Sequence, residues 1–466
     1  MRPRIAGLFV RIEIIFVLLS SVLATGQTRP LTVEWIWKEG AKVARVPSAV
    51  WLYDGTLLSY DDRAPEAQRT FERLDPATGQ RQPVLDMSKA VASLRSLAPV
   101  PAVKQALPWP IAFDSRGQRA VYVFDGDVFL LDVPAATFTR VTDTKEAEKD
   151  PEFSPDGRLL AFIRANYLYV YDIEAQQKKR LTSDGSPTLL NGTLSWVYWE
   201  EIFGRRDRAY WWSPDSRAIA YLQTDESQVP VSTFVDFAPV NTRVIRQPYP
   251  KAGEHNPEVR VGVVEVENGS TRWVSITDKP FEWILEVKWP PDANHVAIKT
   301  LNRAQTELGL YFADRKTGAA KRILTDTDPA WVNVSEDLYF LKDGRHFLFA
   351  SERDGYMHLY RYRMDGTLEN QVTKGRLGHD LLRRNHVLGV AGGGGNRREE
   401  RLDLLHCFER FISSAEPLSH QEQRHRTDAV IQRTRHAPHP YVARCAILPR
   451  HVLQYSHPAG AAAARL

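Results

Sequence analysis

Residues 152–172 read EFSPDGRLLAFIRANYLYVYD, and this stretch indicates the fold class. Its first part is an aromatic residue followed by a Ser-Pro-Asp-Gly turn at 154–157. Proline restricts φ and glycine permits a positive φ, so this turn joins two strands tightly. The segments 159–163 and 167–172 are rich in aliphatic and aromatic residues and are predicted to be strands. The stretch therefore predicts antiparallel strands connected by short turns.

The same unit recurs along the chain at intervals of roughly 40 to 50 residues, with longer intervals around Glu200 and Tyr249 that imply insertions. With the turn at 154–157 there are five clear repeats, the other turns lying at 112–117, 212–216, 289–293 and 341–344. One or two further units are predicted before residue 108. Short strands at this period are typical of the blades of a β-propeller. A two-sheet sandwich is the competing all-β architecture, but it does not predict the repeated turn. The sequence therefore predicts an all-β protein with a propeller over residues 31–375.

A second stretch, 190–214, reads LNGTLSWVYWEEIFGRRDRAYWWSP and places Glu200 and Glu201 between aromatic and apolar residues. Charged side chains are rarely buried without partners, so a carboxylate pair in an aromatic run requires an explanation. One interpretation is a helical turn whose acidic face is solvated. The other is a clamp of two carboxylates that accepts hydrogen bonds from a cation or an ammonium group.

Three motifs in this region resemble the propeller domain of dipeptidyl peptidase IV-type serine peptidases. They are WVYWEEIF at 196–203, DESQVP at 225–230 and PYPKAGEHNP at 248–257, in the family's order. In that family the glutamate pair lies on a short helix that projects from the propeller and holds the free α-ammonium of the peptide. The resemblance thus implies substrate-binding roles for Glu200 and Glu201, and a peptide with a free N-terminus as the partner.

The resemblance also implies an eight-bladed propeller, a Ser-His-Asp triad on a separate hydrolase domain, and frequent homodimers. The printed sequence contains no Gly-x-Ser-x-Gly, the motif that carries the nucleophile in such hydrolases. No catalytic residue is therefore assigned, and the propeller is predicted to be incomplete. Family members also use an arginine from another blade, and Arg140 is a conceivable match whose surrounding sequence is too different to carry the role.

Composition excludes several other classes of function. The formal net charge of the 466 residues is +4, and nothing in the main body suggests a groove for nucleic acid. The two cysteines, Cys407 and Cys445, both lie near the C-terminus, so no disulfide framework or cysteine-based metal site is predicted for the body. No cofactor and no metal are expected.

The N-terminus resembles a secretory signal. A basic start precedes an apolar run at 14–24, and small residues follow at the usual cleavage spacing. Residues 1–26 are predicted to be a signal peptide, which places the mature protein in a secreted or periplasmic location. The run is short for a bilayer span, so no stable membrane span is expected after cleavage. An uncleaved membrane anchor is the alternative.

Residues 376–466 break the blade pattern. Strand alternation stops, and a glycine run at 392–395 is followed by a segment rich in arginine and histidine. One explanation is that the reading frame was lost near residue 376; the other is a short genuine basic tail. In both cases we predict an unstructured segment without similarity to the family.

Two hypotheses about function follow. In the first, this chain is the substrate-gating propeller of a dipeptidyl peptidase that removes N-terminal dipeptides, often after proline, and it is inactive alone. In the second, the chain is a non-catalytic, exported propeller that serves as a binding or scaffold module. Fold alone does not separate the two hypotheses.

Overall fold

The computed structural model describes residues 32–35, 37, 46–97, 100 and 103–375. The chain divides into two compact units, Met1–Val46 and Pro47–Leu466. The described part of the first unit contains one helical turn, Val33–Trp35. The predicted signal peptide at 1–26 and the predicted tail at 376–466 lie outside the described residues. No helix within the described ranges is long and apolar enough to cross a membrane.

The described part of the second unit consists of antiparallel sheets with few helices. The first sheet contains β1 (Ser48–Trp51), β2 (Leu57–Tyr60), β3 (Glu72–Leu74) and β4 (Arg81–Pro83). The second contains β5 (Ala112–Phe113), β6 (Arg119–Phe124), β7 (Asp127–Asp132) and β8 (Thr137–Arg140). The third contains β9 (Glu148–Phe153), β10 (Leu159–Arg164), β11 (Tyr167–Asp172) and β12 (Gln177–Arg180). A 3-10 turn at Glu66–Gln68 lies between β2 and β3, and helix α1 (Met87–Leu97) lies between the first two sheets.

The fourth sheet departs from the four-stranded pattern. It contains five strands: β13 (Leu189–Asn191), β14 (Tyr210–Trp212), β15 (Ala218–Asp225), β18 (Glu258–Glu265) and β19 (Thr271–Trp273). Between β15 and β18 the chain forms a separate hairpin of β16 (Val231–Asp236) and β17 (Arg243–Pro248). The fifth contains β20 (Trp283–Lys288), β21 (His295–Leu301), β22 (Glu307–Asp314) and β23 (Ala320–Thr327). The sixth contains β24 (Leu338–Phe340), β25 (His346–Ser351), β26 (His358–Arg363) and β27 (Leu368–Gln371). The all-β prediction is confirmed, and the succession of sheets is that of an incomplete propeller.

The repeated turn has the geometry that its residues predict. The Ser154 hydroxyl donates to Asp156 Oδ1 at 2.6 Å and accepts the Leu159 N–H at 2.9 Å. Gly157 has φ 74°, a conformation that glycine adopts without steric penalty. In the next repeat Ser213 makes the equivalent pair of hydrogen bonds, to Asp215 and from Ala218. The turns are therefore local devices that fix the start of each central strand.

Neighbouring sheets pack face to face, which explains the uninterrupted apolar runs of the central strands. In β10, Leu160 and Phe162 belong to the core shared with the second sheet. Ala161 and Ile163 point to the opposite face and belong to the core shared with the fourth sheet. Because successive side chains of a strand face opposite sides, a sheet between two others needs apolar residues at every position.

Candidate functional site

The carboxylate pair lies on an insertion in the fourth sheet. The first strand position of this sheet is divided between β13 and β14, which both pair with β15. The Gly192 N–H donates to Leu222 O at 2.9 Å, and the Ala209 N–H donates to Gly192 O at 2.9 Å. These hydrogen bonds close the base of the insertion, so residues 193–208 form a loop on a rigid sheet. Loops of this kind commonly carry function.

Within the insertion, Tyr198–Ile202 forms one helical turn, which we call the acidic helix. Its Phe203 N–H donates to Tyr198 O at 2.8 Å, the i→i+5 bond of a π-helix. Single π-turns are rare and frequent at functional sites. A short helix at the position that the resemblance implies is therefore present, although its π-type winding was not predicted.

A buried tyrosine attaches the acidic helix to the fifth sheet. Tyr198 has no exposed surface, and its hydroxyl oxygen accepts the Ile284 N–H of β20 at 3.1 Å. The rings of Trp283 and Phe203 lie 5.9 and 6.4 Å from the Tyr198 ring. Burial raises the pKa of Tyr198, so the phenol stays protonated. The helix is thus held by a side chain two positions before Glu200 in the sequence.

The two carboxylates occupy different environments. Glu200 is three-quarters buried, with 24% of its side chain exposed, and pairs with the guanidinium of Arg205. A hydrogen bond from Arg205 holds the pKa of Glu200 below its usual value, so the carboxylate stays charged in mild acid. Glu201 is exposed, and within the described part of the chain it makes no hydrogen bond or ion pair. Adjacent residues on a helix diverge, which accounts for the difference.

Aromatic side chains flank the acidic helix on its N-terminal side. The ring of Trp196 lies 4.5 Å from the ring of Tyr249, which follows β17. Tyr249 in turn lies 6.0 Å from Phe234 of the hairpin. Two of the motifs recognised in the sequence are therefore in contact, although they lie about fifty residues apart. No pattern in the sequence predicts that contact.

Ion pairs connect the C-terminal part of the insertion to the third sheet. Asp207 accepts hydrogen bonds from Thr193 Oγ1 at 2.7 Å and from Lys149 Nζ at 3.2 Å. The Arg208 guanidinium pairs with Glu152 at 2.7 Å. The acidic helix is consequently supported by both neighbouring sheets, the fifth through its tyrosine and the third through these charges.

Asp150 lies beside these ion pairs in an unusual backbone conformation. Its φ is 51°, and its backbone carbonyl accepts a hydrogen bond from the buried hydroxyl of Tyr210. Its Oδ2 atom is buried without a hydrogen-bond partner. Burial, with the negative charge of Asp207, raises the pKa of Asp150 to about 6. Sequence reasoning did not select this residue, because nothing local distinguishes it from other acidic turn residues.

The raised pKa of Asp150 predicts that the stability of the folded chain depends on pH. The protonated Asp150 side chain stabilises the folded chain below pH 4, and this stabilisation is lost as pH rises through about 6. The stabilisation of the wild type relative to Asp150→Asn should therefore decrease by up to about 3 kcal/mol between pH 4 and pH 7. Urea denaturation at several pH values measures it.

A matched control for this measurement is Asp125→Asn, since Asp125 is exposed and also has φ 51°. Glu226, whose burial raises its pKa to about 7, adds a slope of the same sign in every variant and cancels in the comparison. Equal pH profiles for the wild type and Asp150→Asn would contradict the prediction.

Arg140, the residue compared with the substrate-positioning arginine of the family, lies on β8 and pairs with neighbouring residues. Its guanidinium pairs with Asp127 and with Asp143, the latter at 2.9 Å, and its Nε donates to Thr142 O at 3.0 Å. These contacts hold the guanidinium within the second sheet. They give no reason to place Arg140 in the candidate site.

Six successive sheets of four or five antiparallel strands, with an acidic helix inserted in one of them, define this chain as a propeller-type protein. Residues 115–382 match the family model described as the dipeptidyl peptidase IV (DPP IV) N-terminal region. The match covers more than half of the chain. The chain therefore belongs to the dipeptidyl peptidase IV N-terminal region family, and the resemblance found in the sequence is confirmed.

Relatives and a solved structure agree with this assignment. The chain is 30% identical over 286 residues to dipeptidyl peptidase 4 of Arthroderma otae, a match covering 58% of this chain and 36% of that protein. It is 28% identical over 284 residues to dipeptidyl peptidase 4 of Trichophyton tonsurans, with the same coverage. The crystal structure of Porphyromonas gingivalis dipeptidyl peptidase 4 aligns with a TM-score of 0.64 at 25% identity, over 76% of this chain and 50% of that chain. The chain spans about a third of the length of the curated relatives it matches.

Proposed function

We propose that this chain binds the free N-terminus of a peptide through Glu200 and Glu201. The observation that carries the proposal is the exposed carboxylate of Glu201, which has no ion pair within the described residues and lies on a helix held by buried Tyr198. An ammonium group has three donors, and two neighbouring carboxylates offer enough acceptor oxygens for them. The rings of Trp196 and Tyr249 lie 4.5 Å apart, and Trp196 precedes Glu200 by four residues in the chain.

The wider proposal is that the chain is the substrate-selecting region of a dipeptidyl peptidase. Its support is membership of the family and the names of the matched relatives. The 466 printed residues contain no Gly-x-Ser-x-Gly. We therefore propose that these residues bind peptides without cleaving them, and that cleavage requires a hydrolase domain. An assay with a dipeptide-proline nitroanilide on the purified chain tests this point, and hydrolysis would contradict it.

Glu201→Gln should weaken the binding of an Xaa-Pro dipeptide at least about tenfold, because a charge-assisted hydrogen bond is replaced by a neutral one. Isothermal titration calorimetry on the full chain measures the effect. Glu174→Gln is the matched control, since Glu174 lies exposed on the turn between β11 and β12. An N-acetylated peptide should not bind the wild type. Equal affinities of the wild type and Glu201→Gln, or binding of the acetylated peptide, would overturn the proposal.

The alternative remains a non-catalytic, exported binding module. It shares the fold but assigns no role to Glu201, so the same titration separates the two functions. Two further properties are proposed with the first function: export, which sequencing of the mature N-terminus tests, and a homodimer, which analytical ultracentrifugation tests. The hairpin of β16 and β17 supports the dimer, because Phe237 and Val240 expose 77% and 103% of their surface at its tip.

A further inference from the structure

We propose that Arg205 weakens amine binding at this site, because its guanidinium occupies the carboxylate of Glu200 and competes with the incoming ammonium for it. This inference rests on the proposed function and deepens it. Arg205 would then act as an internal substitute for the substrate cation. The ligand class that displaces it is a peptide with a free, singly charged N-terminus.

Arg205 donates hydrogen bonds to both carboxylate oxygens of Glu200. Arg205 Nε lies 3.1 Å from Oε1 and 2.9 Å from Oε2 of Glu200, and Nη2 lies 2.7 Å from Oε1. Both carboxylate oxygens are therefore engaged, and a fork of this kind is among the stronger side-chain pairings. An ammonium group that binds Glu200 must share or replace these donors.

The backbone fixes Arg205 in this position. Gly204 and Arg205 have φ of 56° and 63°, and the Arg205 N–H donates to Trp199 O at 2.7 Å. A positive φ is uncommon for residues other than glycine, so the surrounding turn imposes it. The guanidinium carbon also lies 6.0 Å from the Trp199 ring centroid. The turn thus directs the arginine back over the helix that carries Glu200.

Only the cation of the pair is solvated. The Arg205 side chain is 70% exposed, whereas that of Glu200 is 24% exposed, so the guanidinium can move into solvent when an ammonium group takes its place. Glu201 carries no such cation and offers the first contact to an approaching ammonium. With Arg205 present, the three side chains sum to a single negative charge, which matches one ammonium. Without Arg205 the sum would be two negative charges.

The test compares Arg205→Gln, Arg205→Lys and Arg206→Gln in dipeptide titrations of the full chain at low and high salt. Arg205→Gln should bind roughly two- to fivefold more tightly, with a steeper salt dependence, because the competitor is gone and the site is more negative. Arg205→Lys should lie between the wild type and Arg205→Gln, since lysine lacks the planar fork. Arg206→Gln is the control: Arg206 pairs instead with Glu336 at 2.9 Å and should leave affinity unchanged.

The outcomes separate this inference from the proposed function. Loss of binding in Glu201→Gln together with unchanged or weaker binding in Arg205→Gln overturns the inference alone. Unchanged binding in Glu201→Gln overturns the proposed function itself. A thermal melt verifies that each variant is folded. If Arg205→Gln does not fold, the dipeptide affinity of Arg205→Lys tests the inference instead. An affinity of Arg205→Lys equal to that of the wild type would then overturn the inference.

Discussion

Tyr198→Ala is expected to abolish dipeptide binding and to lower the free energy of unfolding by about 3–5 kcal/mol, as for other large buried aromatic residues. The side chain is fully buried between Phe203 and Trp283, so its removal leaves a cavity that these neighbours cannot fill. The loss also frees the acidic helix from β20, because the hydrogen bond to Ile284 disappears. Urea denaturation and dipeptide titration measure the two effects.

Two further variants separate the effect of the Tyr198 hydrogen bond from that of its ring and from the loss of any tyrosine. Tyr198→Phe keeps the ring but leaves the Ile284 N–H without its acceptor, which should cost about 1–3 kcal/mol. Tyr53→Ala removes a tyrosine that is 88% exposed, and it should change stability by less than about 0.5 kcal/mol. Retention of wild-type affinity in Tyr198→Ala would show that the helix does not depend on this attachment.

The parts of the fold that could be predicted from the sequence depend on local interactions. The hydrogen bonds of Ser154 join it to residues two and five positions away, so a short segment of sequence is enough to predict the turn. The apolar runs on both sides of it are equally local. A repeated turn of this kind therefore predicts the number and order of the sheets, even though no single strand is distinctive.

The parts that could not be predicted depend on contacts between distant residues. Tyr198 and Ile284 are 86 positions apart, and Lys149 and Asp207 are 58 apart. Only the folded chain brings such pairs together. The pairing of Glu200 with Arg205 is short in sequence, yet it depends on two successive residues with positive φ. The glycine at 204 is a signal for that turn, but it does not say toward which carboxylate the arginine points.

The carboxylate pair shows how a family motif and a structure complement each other. The resemblance treats Glu200 and Glu201 as equivalent. The structure distinguishes them, since one is paired with Arg205 and the other is exposed. The proposed amine site is therefore asymmetric, and substitutions at the two positions should not be interchangeable.

A buried lysine couples the fifth sheet to the sixth. Lys299 of β21 is 2% exposed, and its ammonium donates to Ser335 O at 2.6 Å and lies 2.9 Å from Glu286 Oε2. It also lies 5.4 Å from the ring centroid of Phe349 in β25. Burying a lysine is unfavourable unless these partners compensate its lost hydration.

Lys299→Ala should lower the free energy of unfolding by about 3 kcal/mol, the lower end of the range for breaking a buried ion pair, because Lys288 remains 3.7 Å from Glu286. The double variant Lys299→Met, Glu286→Leu should be close to the wild type, since apolar side chains of similar volume avoid the burial of a charge. Lys316→Ala, on an exposed turn, is the control. Urea midpoints at constant m-value measure the differences. If the single and double variants were equally destabilised, packing of the lysine stem, and not its charge, would connect the two sheets.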